Sequence, residues 1–162
     1  MTEHVLSTPC GGLHKPFMTT ETRESNPCFG CGEDNTRGMR LIFTRDEFRQ
    51  RILGRFRIAA DFQGASGFLH GGIIATILDE VMSKVSRFSG LRAVTAELTI
   101  EYLKPIRVDE EILVEGFSTR QDGRQLYHEG EIRNATGVLL ARGRGRFVVV
   151  DLERYRQRAK NV

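Results

Sequence analysis

One stretch of this chain repeats with the helical period, and the rest must be arranged around it. Stepping about 100° per residue from Gly71 to Ser89, Ile73, Ile74, Ile77, Leu78, Val81, Met82, Val85 and Phe88 fill one half of the wheel. The opposite half sorts further. Gly72, Ala75, Thr76, Asp79, Ser83 and Ser86 cluster together, all small except the acid, and Glu80, Lys84 and Arg87 form a third sector. Gly90 supplies a C-terminal stop. An apolar stripe this long needs a cover, and the flanking sequence supplies strands for it.

Arg40 to Ala59 alternates and predicts two strands with a turn near Asp46-Glu47. Residues 61 to 68 hold Gly64 and Gly67 and read as a loop. After the helix come four strand candidates. Ala93 to Tyr102 alternates Ala96, Leu98, Ile100 and Tyr102 with Glu97, Thr99 and Glu101, and Pro105 ends it. Glu111 to Arg120, Gln125 to Arg133 and Val138 to Val150 follow, with a hairpin signal at Asp122-Gly123. Two strands, one long helix and four strands predict an α+β layout, an antiparallel sheet curled around one helix.

The predicted domain spans residues 26 to 150. Residues 1 to 25 form an irregular arm and 151 to 162 a basic tail. The 162 residues, 40% of them hydrophobic, suit one globular domain with its own core. No apolar run approaches the roughly 20 residues that span a bilayer. No signal-peptide pattern opens the chain, so a cytoplasmic protein without a membrane partner is expected. A net charge of +3 is too mild to argue for nucleic acid.

The most informative stretch runs from Phe68 to Glu80. A glycine pair, Gly71-Gly72, opens the helix, so the first-turn N–H groups can be approached closely. That end of a helix favours an anion or an oxyanion. Two turns on stands an acid among small residues, which leave room for a ligand. Together they suit acyl transfer, with a polarised carbonyl and a base or nucleophile. Glu80 has Lys84 four residues on and reads as half of a surface ion pair. Asp79 has no such partner and is the candidate, the plain alternative being a solvent-facing residue.

His70-Gly71-Gly72 followed by Ala75, Leu78 and Asp79 resembles the signature of hotdog-fold acyl-CoA thioesterases of the phenylacetic-acid-degradation type. Phe62-Gln63-Gly64 precedes that loop as in many relatives. Val94 to Ile106, with Lys104-Pro105, is similar to the family's next strand. Cys28-Phe29-Gly30-Cys31-Gly32, with Asn35, Gly38, Met39 and Leu41, is similar to the entry segment of one branch.

The resemblance implies a hotdog fold, and a homodimer or tetramer with acyl-CoA sites at the subunit interface. It implies Asp79 as catalytic acid, Gly71 and Gly72 amides on the thioester oxygen, and His70 as a loop-orienting residue. Thr95 matches a hydroxyl that positions water from the partner subunit, and Gln63 and Ser83 match polar positions near the thioester. A catalytic acid at the helix start is expected to stay charged near neutral pH. The expected reaction is hydrolysis to free acid and coenzyme A without metal or cofactor. The alternative is a non-catalytic acyl-CoA-binding or regulatory domain.

Two side signals remain. Cys28-x-x-Cys31 has metal-ligand spacing, but a closed zinc site needs four ligands and only Cys10 and His14 suggest themselves. The resemblance makes this segment a structural turn near the site entrance. Arg142, Arg144 and Arg146 alternate and share one strand face, either solvated or in contact with coenzyme A phosphates through Arg142 and Arg144.

Overall fold

The computed structural model describes residues 25–151 and Gln157. The expected arm and nearly all of the expected tail, with Cys10 and His14, lie outside them. Six strands and one long helix follow in chain order: β1 (Thr44–Asp46), β2 (Arg51–Arg57), α1 (Gly71–Phe88), β3 (Ala93–Tyr102), β4 (Glu111–Asp122), β5 (Gln125–Asn134) and β6 (Leu139–Val149). A single 3-10 turn, Ala60–Phe62, interrupts the loop before α1. All pairings are antiparallel, in the order β1-β2-β4-β5-β6-β3. The elements match their sequence-predicted bounds to within a few residues.

Helix α1 packs against β2, β3, β4, β5 and β6, so the sheet wraps the apolar stripe. Ile77, Leu78, Val81 and Met82 are fully buried there. The strands alternate accordingly, with Ile112 and Val114 of β4, Leu126 and Ile132 of β5, and Ala141 and Phe147 of β6 turned into the core. Gly116, Gly130 and Gly143 stand in register across the three central strands. A Cβ at Gly116 would sit 2.8 Å from Val81 Cγ2, and one at Gly143 would sit 3.2 Å from Met82 Cε. This row of missing side chains lets helix and sheet approach closely. A six-stranded antiparallel sheet closed around one long helix is the hotdog fold.

Both ends of α1 are built by local chemistry. His70 caps the N-terminus, its Nδ1 accepting from the Gly72 N–H at 2.9 Å. At the other end Gly90 takes φ +75. Its N–H donates to Arg87 O and the Leu91 N–H to Ser86 O, a Schellman closure. The wheel grouped Ser86 with Asp79, yet Ser86 is buried and bonds His128 Nε2 of β5 at 2.9 Å. Strand β3 is one outer edge of the sheet, and its pairing with β6 slips by a bulge between Thr95 and Glu97. Among the described residues no helix is long and apolar enough to cross a membrane.

Candidate active site

Asp79 lies in the middle of α1, not at its start, so the helix N-terminus does not act on it. It is half-buried, and burial pushes its carboxyl above the ordinary aspartate value. The Thr95 hydrogen bond works against that shift, and the Glu80 charge adds to it. Desolvation, not the helix dipole, therefore sets the direction of the Asp79 shift. Thr95 Oγ1 donates to Asp79 Oδ1 at 2.8 Å. The resemblance implied a hydroxyl from a partner subunit, whereas the structure brings the same chain's Thr95 to the acid. Thr95 stands just before the β3 bulge, where the local bend aims its side chain at α1.

The glycine pair divides in its roles. The Gly72 N–H is occupied by the His70 cap. Ile73 and Ile74 N–H groups both donate to His70 O. The Gly71 N–H has no acceptor among the described residues, so it is the first-turn donor left for a ligand. His70 is fixed from both sides: its N–H donates to Phe62 O, and its ring lies against Gly64. Gln63 closes the same loop, its Oε1 accepting from the Gly67 N–H at 3.2 Å.

Tyr102, read from sequence only as a strand residue, reaches this end of α1. Its hydroxyl donates to Gly71 O at 3.0 Å. Strand β3 thus touches α1 with both ends, Thr95 at Asp79 and Tyr102 at Gly71. Nothing local in the sequence signals either contact. Ser83 is half-buried one turn beyond Asp79, on the same helical face.

Arg142 and Arg144 lie elsewhere. Gly143 and Gly145 of β6 face the helix, so the arginines between them occupy the sheet's outer surface. Arg142 forms a close ion pair with Glu101 at 2.7 Å. Arg144 lies 3.5 Å from Glu101 and 3.6 Å from Glu129, and Arg146 3.2 Å from Glu97. These arginines pair across strands and are not brought together with Asp79 or Gly71.

The expected Glu80–Lys84 ion pair does not form. Glu80 Oε1 accepts from the Cys28 thiol at 3.2 Å, and Lys84 Nζ donates to Cys31 Sγ at 2.9 Å. The loop carrying both cysteines lies along α1 and captures both charges. Burial pushes the Cys31 thiol up to about 11, although the Lys84 contact works in the other direction.

The fold and this helix-borne acid define a hotdog domain. Residues 66–141, from the loop before α1 into β6, match the family model of the Thioesterase superfamily. The domain has the hotdog fold, and over these residues it is similar to that superfamily. Acyl-coenzyme A thioesterase THEM4 of Rattus norvegicus is 37% identical over 90 residues, 56% of this chain and 39% of the relative. Acyl-coenzyme A thioesterase 13 of Homo sapiens is 27% identical over 97 residues, 58% of this chain and 69% of the relative. The crystal structure of a thioesterase superfamily protein superposes with TM-score 0.70 at 27% identity, covering 76% of this chain and 63% of its own. The chain therefore spans about two fifths of the length of the THEM4 relative.

Proposed function

We propose that this protein is an acyl-CoA thioesterase that hydrolyses its thioester at sites shared between two copies of the chain. The observation that carries this reading is the half-buried Asp79, held by Thr95, on the same helix as the Gly71 N–H, which meets no acceptor among the described residues. The relatives named acyl-CoA thioesterases support the substrate class.

Geometry sets how the parts combine. Asp79 stands eight residues after Gly71 on one straight helix, a separation of about 12 Å. A carbonyl oxygen must lie about 3 Å from its donor, and the attacking group must reach the adjoining carbon. One chain cannot place both on one thioester. The two ends of β3 suggest the solution. Antiparallel pairing of this edge strand with the β3 of a second copy sets the Thr95 end against the Tyr102 end. Asp79 of one copy then faces Gly71 of the other.

In that arrangement the Gly71 N–H and the helix dipole hold the thioester oxygen as it gains charge. Asp79 removes a proton from water as the water attacks the carbonyl carbon, or attacks the carbon itself to form a mixed anhydride that water then hydrolyses, regenerating the carboxylate. Thr95 orients the carboxylate, and collapse expels the coenzyme A thiolate. The acid product and the thiol then leave.

Thiol release from a panel of acyl-CoAs tests this reading. Asp79→Asn keeps the size and the Thr95 contact but removes the base, so kcat is expected to fall by about 10²–10⁴-fold. Turnover at the wild-type rate in Asp79→Asn would remove the acid from the mechanism. Tight acyl-CoA binding without turnover in the wild type would favour a binding domain instead.

A further inference from the structure

The segment Cys28-Phe29-Gly30-Cys31-Gly32 has no part in the chemistry above. It folds as a tight turn over the middle of α1, closed by the Gly32 N–H donating to Cys28 O at 2.9 Å. The turn sets both sulfurs beside Glu80, and the two Sγ atoms and a Glu80 carboxylate oxygen all lie within 4.8 Å of one another. Both glycines are needed for this. A Cβ at Gly30 would sit 2.5 Å from Glu80 Oε1, and one at Gly32 would sit 2.4 Å from Asn26 O and Cys28 O. Larger residues would lift the loop off the carboxylate.

We propose that Cys28, Cys31 and Glu80 are the protein ligands of a divalent metal site of the zinc type, with Lys84 donating to the Cys31 sulfur. Two cysteines separated by two residues are a recurring half of tetrahedral thiolate sites. Thiolates select zinc over magnesium or calcium, and a carboxylate oxygen is an accepted further ligand. The charges also match. Two thiolates and a carboxylate carry three negative charges, which the ion's two and the Lys84 ammonium's one neutralise. An N–H donor on a metal-bound ligand fixes its orientation and tunes its basicity, and Lys84 Nζ already lies 2.9 Å from Cys31 Sγ. All three ligands are half-buried rather than sealed, so the ion has an entry path. Among the described residues three ligands converge here, which leaves the fourth tetrahedral position open to a further ligand. The ion would staple the entry loop to α1 at the residue next to Asp79.

The test uses the full chain, reduced and stripped with chelator, titrated with Co²⁺ under argon. One cobalt per chain is expected, with a sulfur-to-cobalt charge-transfer band and the visible bands of a four-coordinate ion, both removed by adding Zn²⁺. Cys28→Ser and Cys31→Ser should each weaken the band and the binding. Glu80→Gln, which keeps both sulfurs, should bind at least about tenfold more weakly while retaining the charge-transfer band. Circular dichroism of each variant confirms folding. No charge-transfer band in the wild type, the same band in both the Cys28→Ser and Cys31→Ser proteins, or unchanged affinity in Glu80→Gln would each overturn the site.

Discussion

Gly71 is where the proposed chemistry and the fold can be separated. Its N–H has no acceptor among the described residues, and it occupies the first helical position, which tolerates proline. His70 before it is extended at ψ 138, as a residue preceding proline must be. A Cβ at position 71 would meet nothing closer than the Tyr102 ring at 3.6 Å. Gly71→Pro should therefore keep α1 while deleting one donor, and kcat is expected to fall by about 10²–10³-fold. Steady-state thiol release measures it, and an unchanged kcat would take Gly71 out of the oxyanion role. At this scale the sequence was legible where the signal is local. The His70-Gly71-Gly72 opening and Asp79 two turns on are visible in one run of residues. Thr95 was named only through the family resemblance, and its contact with Asp79, like the Tyr102–Gly71 and Cys28–Glu80 contacts, was not legible, because each forms only through the fold. The separations are 16, 31 and 52 residues. Gly72 shows a subtler limit: a glycine that looks like a free donor is spent on the cap of the residue two before it.

Helix α1 and the sheet over it carry one polar contact deep in the core. Ser86 of α1 and His128 of β5 are 3% exposed each and bonded to one another. Burial holds the folded His128 below its ordinary value of 6.5. Below pH 6.5 the unfolded chain therefore binds a proton that the folded chain refuses. Stability should be level above that pH and decline as pH falls from 6.5 toward the folded-state value. Chemical denaturation between pH 8 and 5 reads the slope, and His128→Asn should flatten it. An equally steep slope in the variant would place the titration elsewhere. Element bounds were legible because alternation and the helical period are properties of each segment alone. Strand order was not, since nothing in β3 says that it pairs with β6 and leaves its other edge open. The glycine row across β4, β5 and β6 was equally silent, because glycine marks a close approach only once a neighbour is known.

The whole molecule decides whether two defects in different copies can be repaired by mixing. In a two-fold pair built on β3, each site takes Asp79 from one copy and the Gly71 N–H from the other. An Asp79→Asn copy paired with a Gly71→Pro copy then holds one site with both defects and one with neither. Random reassembly of equal amounts makes half of the pairs mixed, and each mixed pair has half of its sites intact. About a quarter of wild-type activity should return from two nearly inactive parents. Co-expression with distinct affinity tags isolates the mixed pairs, whose activity should approach half that of the wild type. If both groups acted from one chain, every site in the mixture would carry a defect and no activity would return. The about 12 Å between Gly71 and Asp79 along one rigid helix makes the first outcome the expected one. Rescue would tie the open edge of β3 directly to catalysis, since only pairing across that edge brings the two halves together.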